Sequence, residues 1–125
     1  MNPDRLFFGI GCVAAGLAVV LGAFGAHALR DRLGPQILAI YETGVRYQVY
    51  HAFALLIVGL LRGSAARSPW IDAAGWFFVI GIAVFSGSLY LLSVSGARWL
   101  GAITPVGGLA FILGWASLAA WTWRR

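Results

Sequence analysis

The sequence contains no lysine, a single glutamate and a single cysteine. Charged residues make up only 10% of its 125 positions, where a soluble domain carries roughly 25%. Polar side chains are therefore too few to coat a water-soluble globule. The lone Cys12 cannot close a disulfide within the chain or build a thiolate metal site, and it reads as a small apolar residue in an apolar run. The net charge of +5 comes wholly from arginine. These arginines stand singly or in pairs between apolar stretches. Nucleic-acid binding needs cations clustered on one face, which argues against that class. The pattern instead matches the flanks of membrane helices.

What remains is 61% hydrophobic. After a short polar start with Asp4 and Arg5, residues 6–29 are apolar except for His27. A spanning helix needs about 20 such residues. Ala26-His27-Ala28 resembles a signal-peptidase site, but the run is longer than the roughly 7–15 residues of a signal core, so it reads as a span. Arg30-Asp31-Arg32 and then Gly34-Pro35 end it. Residues 36–40 read as a brief interfacial piece. A second span is expected over 42–61, a third over 71–94 entered through Pro69 and Trp70, and a fourth over 99–123 closed by Trp121, Trp123 and two arginines. The expectation is all-α: one domain, residues 1–125, folded as an antiparallel bundle of four transmembrane helices joined by short loops. Ala14, Ala18, Gly22 and Ala26, at four-residue steps, predict a face for close helix packing, within the bundle or between subunits.

The stretch between the first two spans differs from the rest. Residues 21–51 hold both histidines, the only glutamate and three arginines. On a helix Glu42 and Arg46 lie four apart, as do Tyr47 and His51, and Gln48 is three from His51. Polar groups in lipid need partners. His27, Glu42, Arg46, Tyr47, Gln48 and His51 are therefore expected to form one hydrogen-bonded cluster at the membrane edge. It would act either as glue between helices or as a small pocket open to one side.

Four ordered motifs carry a family likeness: GAFGAHAL at 22–29, YETGVRYQVYHA at 41–52, FSGSLYLL at 85–92 and LGAITPVGGLAFILGW at 100–115. Together they resemble the small YgdD-like bacterial membrane family, domain of unknown function family 423, which itself resembles a small eukaryotic transmembrane protein. The resemblance implies a four-span inner-membrane protein. It brings no catalytic residue and no cofactor with it.

The residues themselves rank the functions. Asp4, Asp31 and Asp72 lie at helix ends and Glu42 at the expected start of a span, so no carboxylate is expected at a bilayer centre, where a proton-coupled exporter needs one. His27 and His51 lack metal-ligand spacing, and a third ligand could only be Glu42, so no metal is expected. Ser86, Ser88 and Ser93 lack a nucleophile context, so no enzyme is expected. The expected function is structural, or the binding of lipid or a small molecule; a small transporter or channel-like oligomer is the alternative, and a metal-binding membrane protein the weaker one. Expected partners are membrane lipids, with a homo-oligomer and an unidentified small molecule as further candidates, and no nucleic acid. Arginines 5, 62, 67, 124 and 125 outnumber those at the other end, which predicts cytoplasmic termini.

Overall fold

The structure is a computed structural model and describes residues 2–124. Four helices are each long and apolar enough to cross a bilayer: α1 Leu6–Leu29, α2 Pro35–Ser64, α3 Pro69–Ser95 and α4 Arg98–Trp123. Arg125, counted above among the flanking arginines, lies outside the described residues. Two π-helical turns interrupt the regular winding, Gly25–Leu29 at the end of α1 and Ile82–Ser86 inside α3. The first turn of α4, Arg98–Ala102, is 3-10.

Local chemistry sets the boundaries. Pro35 and Pro69 each stand in the first turn of a helix, where the missing N–H removes no bond. The Ser68 hydroxyl accepts from the Trp70 N–H at 3.3 Å and caps α3. Gly96 ends α3 with φ +70, a left-handed residue that a side chain would disfavour. Helix α2 begins at Pro35 and not at Glu42. The apolar run 36–40 continues into it, because nothing after Pro35 breaks helical winding.

The helices run antiparallel in sequence order. Along α1 and α2, the Tyr41 hydroxyl donates to the Leu21 carbonyl at 2.6 Å and the Gln48 amide to the Ala14 carbonyl at 2.8 Å. At the end that carries the termini, Arg62 Nε lies 2.9 Å from Asp72 Oδ1, tying the end of α2 to the start of α3. The same guanidinium sits 5.7 Å from the centre of the Phe7 ring of α1. Helices α2 and α3 are the inner pair. Within their apolar windows 44% and 39% of residues are buried, against 22% and 28% for α1 and α4.

In lipid, apolar surface gains little by leaving its solvent, so helices hold together by close contact. Here the contact is ring against glycine. A Cβ on Gly75 would lie 2.6 Å from the Phe7 ring, and one on Gly114 would lie 2.5 Å from the Phe78 ring. A Cβ on Gly81 would collide with the Phe111 ring, and one on Gly107 with the backbone of Phe85. Phe7, Leu55, Val58, Ile71, Phe78 and Phe111 meet in the resulting core.

The expected small-residue stripe is only half right. Ala14 and Ala18 are buried, Gly22 partly so, and Ala26 is exposed. The buried face of α1 runs instead through Phe7, Gly11, Ala14, Ala18 and Gly25. Four-residue steps advance about 40° past each full turn of a 3.6-residue helix and wind off the face, whereas alternating steps of four and three stay on it.

This packing predicts opposite outcomes for two glycines. Gly107→Ala would force backbone apart and should lower stability by about 1–3 kcal/mol. Gly22→Ala adds a methyl with only Val45 in reach, at 3.5 Å, and should be near neutral. Thermal unfolding in detergent measures both.

Candidate functional site

The inner face of α2 carries Tyr41, Gly44, Gln48, His51, Leu55 and Val58, spaced three and four apart. Three of these are polar, and each is buried. Hydrocarbon offers no hydrogen bond, so each must find one in a neighbouring helix. Gln48 finds two. Its amide nitrogen donates to the Ala14 carbonyl of α1, and its oxygen accepts from the Tyr90 hydroxyl of α3 at 2.7 Å. One level away, the Ser86 hydroxyl donates to the Gly44 carbonyl at 2.7 Å. The π-helical turn that ends at Ser86 lies at this crossing. Ser88 pairs with Thr104 of α4 at 2.6 Å.

His51 links α2 to α4. The Trp115 indole N–H donates to His51 Nε2 at 3.1 Å, and His51 Nδ1 lies 2.8 Å from the Tyr47 carbonyl. An indole nitrogen can only donate, and a carbonyl can only accept. The ring therefore carries its proton on Nδ1 and is neutral, an assignment made from the hydrogen bonds. It stacks on Phe111 with centroids 3.5 Å apart. Both ring nitrogens are engaged, and among the described residues no three metal-ligating side chains converge.

Beside this ring, a cleft of about 750 Å³ opens between α2 and α4 toward the bilayer. Tyr47, Tyr50 and His51 line one wall; Leu109, Phe111 and Trp115 line the other. The two tyrosines are 38% and 51% exposed, and their hydroxyls have no hydrogen-bond partner among the described residues.

The six expected site residues divide. Tyr47, Gln48 and His51 lie together: Gln48 is bonded to groups of α1 and α3, His51 to Trp115 of α4, and the Tyr47 carbonyl accepts from His51 Nδ1. Glu42 and Arg46 lie on the outer face of α2, exposed, with no ion pair or hydrogen bond among the described residues. His27 is exposed on the last turn of α1 and likewise unbonded among them. A single hydrogen-bonded cluster at the membrane edge is thus corrected on two counts. The bonded group is smaller, and it lies deeper. Because α2 starts at Pro35, His51 is the seventeenth of its thirty residues, near the middle.

Glu42 and Arg46 both lie alongside α1. The Tyr41 ring packs on Gly25, Val45 packs on Gly22 and Gln48 reaches Ala14, so Glu42 lies level with the last third of α1 and Arg46 nearer its middle. That helix has no charged residue from Leu6 to Leu29. An arginine at a helix centre in lipid costs about 2.5–3.5 kcal/mol on insertion scales. Sequence reasoning missed Tyr90, Trp115 and Ser86. The available signal was position: Tyr and Trp favour the membrane interfaces, and Tyr90 and Trp115 fall inside their spans.

The family profile described as "Protein of unknown function (DUF423)" matches residues 21–108. The chain belongs to the DUF423 family. It is similar to a UPF0382 membrane protein of Staphylococcus epidermidis, 45% identical over 114 residues, which cover 91% of this chain and 92% of that one. It is also similar to the UPF0382 membrane protein YwdK of Bacillus subtilis, 46% identical over 111 residues, covering 89% and 90% of the two chains. No solved structure matches. DUF423 carries no enzymatic name. The segment matched by its profile includes Tyr41, Gln48, His51, Ser86 and Tyr90, and ends before Trp115.

The Gln48–Tyr90 bond yields a coupling prediction. Tyr90→Phe removes the donor to the Gln48 oxygen, and Gln48→Leu removes the acceptor of the Tyr90 hydroxyl. The double substitution should destabilise less than the two single losses added, by about 0.6–1.7 kcal/mol, the range of interhelical bonds in membranes. A double-mutant cycle on unfolding in detergent reads the coupling, and strict additivity would contradict the bond.

Proposed function

We propose that this DUF423 chain is a non-enzymatic protein of the bacterial inner membrane that holds an amphiphilic small molecule or lipid in the cleft between α2 and α4. One observation carries the reading. The cleft is walled by apolar rings and chains, yet two tyrosines at its edge have hydroxyls with no partner among the described residues. A phenol inside a bilayer without a partner is costly. An apolar molecule bearing a carbonyl or similar acceptor satisfies both features. His51, clamped by Trp115 and the Tyr47 carbonyl, serves as a rigid wall and not as an acid or base. The serine hydroxyls are likewise engaged: Ser86 with the Gly44 carbonyl, Ser88 with Thr104 and Ser93 with the Leu89 carbonyl. This supports a binding role over a catalytic one. A second reading, a small transporter, draws support from the depth of Glu42, since an intramembrane carboxylate often marks an ion path.

Gly108 lines the cleft, and a Cβ there meets only the Phe85 ring, at 3.8 Å. Gly108→Leu should therefore fill the cleft and spare the fold. Mass spectrometry of organic extracts should find an amphiphile with the unaltered protein and lose it with Gly108→Leu. Identical extracts from both, at equal stability, would refute the binding reading.

Orientation is part of the same proposal. Arg46 counts for neither end, which leaves five arginines at the end with the termini against Arg30, Arg32 and Arg98 at the other. That bias favours cytoplasmic termini. A reporter fused after Arg125 should be active only if it reads cytoplasm, and a clean periplasmic signal would reverse the topology.

A further inference from the structure

The outward face of α2 presents Glu42, Arg46, Tyr50, Phe53, Ile57 and Leu60, all exposed. Its first two residues are the anomaly. They are opposite charges one turn apart, level with the uncharged second half of α1, and neither has an ion pair or hydrogen bond among the described residues. Spacing of four would let them pair within the helix, yet they lie beyond salt-bridge distance.

We propose that this face of α2 docks against the same face of a second copy of the chain, with Glu42 of each copy paired to Arg46 of the other. Copies inserted with one topology share their depth, so a two-fold axis along the membrane normal brings the two α2 helices side by side and parallel. Glu42 and Arg46 are four residues apart, about 6 Å along the axis, an offset that these long side chains span. Two-fold symmetry makes the contact self-complementary, so both pairs close at once and no charge is left over. The apolar residues that follow, Tyr50 to Leu60, continue the seam. An anionic lipid headgroup would answer Arg46 and leave Glu42 unpaired. An unrelated helix would need opposite charges at the same two levels, whereas a second copy has them by identity. Glu42 and Arg46 do not line the cleft, and of the seam residues Tyr50 is the one shared with its wall.

Charge exchange tests the pairing. Glu42→Arg and Arg46→Glu, expressed singly, each set like charges against each other and should abolish self-association seen by cross-linking in membranes. Expressed together with different tags, the two variants should co-purify, because each copy then meets opposite charge at both positions. The neutral pair Glu42→Gln and Arg46→Gln, which inserts more easily, should each weaken association at least tenfold. As a fold-independent check, Phe53→Cys in a Cys12→Ala background should give a disulfide-linked dimer in membranes, and Val20→Cys on the outer face of α1 should not. An unaltered chain that stays monomeric in membranes would overturn the proposal. So would single swaps or neutral variants that associate as the unaltered chain does, or cross-linking through position 20 and not 53. A monomer whose stability depends instead on an added anionic lipid would assign the charges to lipid and overturn it equally.

Discussion

Hydrocarbon supplies no hydrogen bonds, and the bundle is arranged around that lack. A buried amide in water-soluble proteins can fall back on an ordered water. In a bilayer it must be answered by protein, and Gln48 is answered on both sides, by a backbone carbonyl of α1 and a phenol of α3. One side chain thereby fixes the relative height of three helices. Shifting α1 or α3 along its axis by a single turn would strand one half of the amide. His51 does the same between α2 and α4 through Trp115. Together the two residues set the register of all four helices from positions one turn apart on α2.

Close packing then fills what the polar bonds align. The notches at Gly75, Gly81, Gly107 and Gly114 receive a phenylalanine ring or backbone from the facing helix. Rings are stiff and glycine offers no side chain to yield, so the fit is specific in a way that leucine against leucine is not. The inner position of α2 and α3 follows from this, since α1 and α4 each pack chiefly against one neighbour and leave a wide face to lipid. The cleft beside His51 lies between α2 and α4, and its wall includes the stacked His51 and Phe111 rings that join the two helices.

How much of this could be read beforehand differs by level. The four helices were legible, because apolar runs of spanning length separated by arginine, glycine and proline have few alternative folds. The start of α2 was misread. Residues 36–40 are short and apolar, and treating them as a separate piece overlooked that Pro35 is well suited to a helix's first turn. That shift of seven residues moved the polar group from the start of the helix to its interior. Tyr47, Gln48 and His51 stood out as polar residues in an apolar helix. Their partners did not, because two of them are backbone carbonyls, which have no sequence signature, and the others, Tyr90 and Trp115, lie more than forty residues away. Glu42 and Arg46 matched the spacing of a helical ion pair. Spacing alone could not show that both would face outward and apart.

The two-sided answer to Gln48 also bears on how the protein is made. A chain emerging from a translocon delivers α1, then α2, then α3. When α2 enters the bilayer, α1 is already beside it and can accept from the amide nitrogen, but the oxygen has no donor until Tyr90 arrives some forty residues later. Likewise His51 Nε2 must wait for α4. The half-built bundle thus carries open acceptors in its interior at each stage of synthesis. Its helices would be expected to linger near the protein-lined exit of the translocon and to leave for lipid as a set, a consequence of placing the polar group on the second of four helices and its answers on the third and fourth.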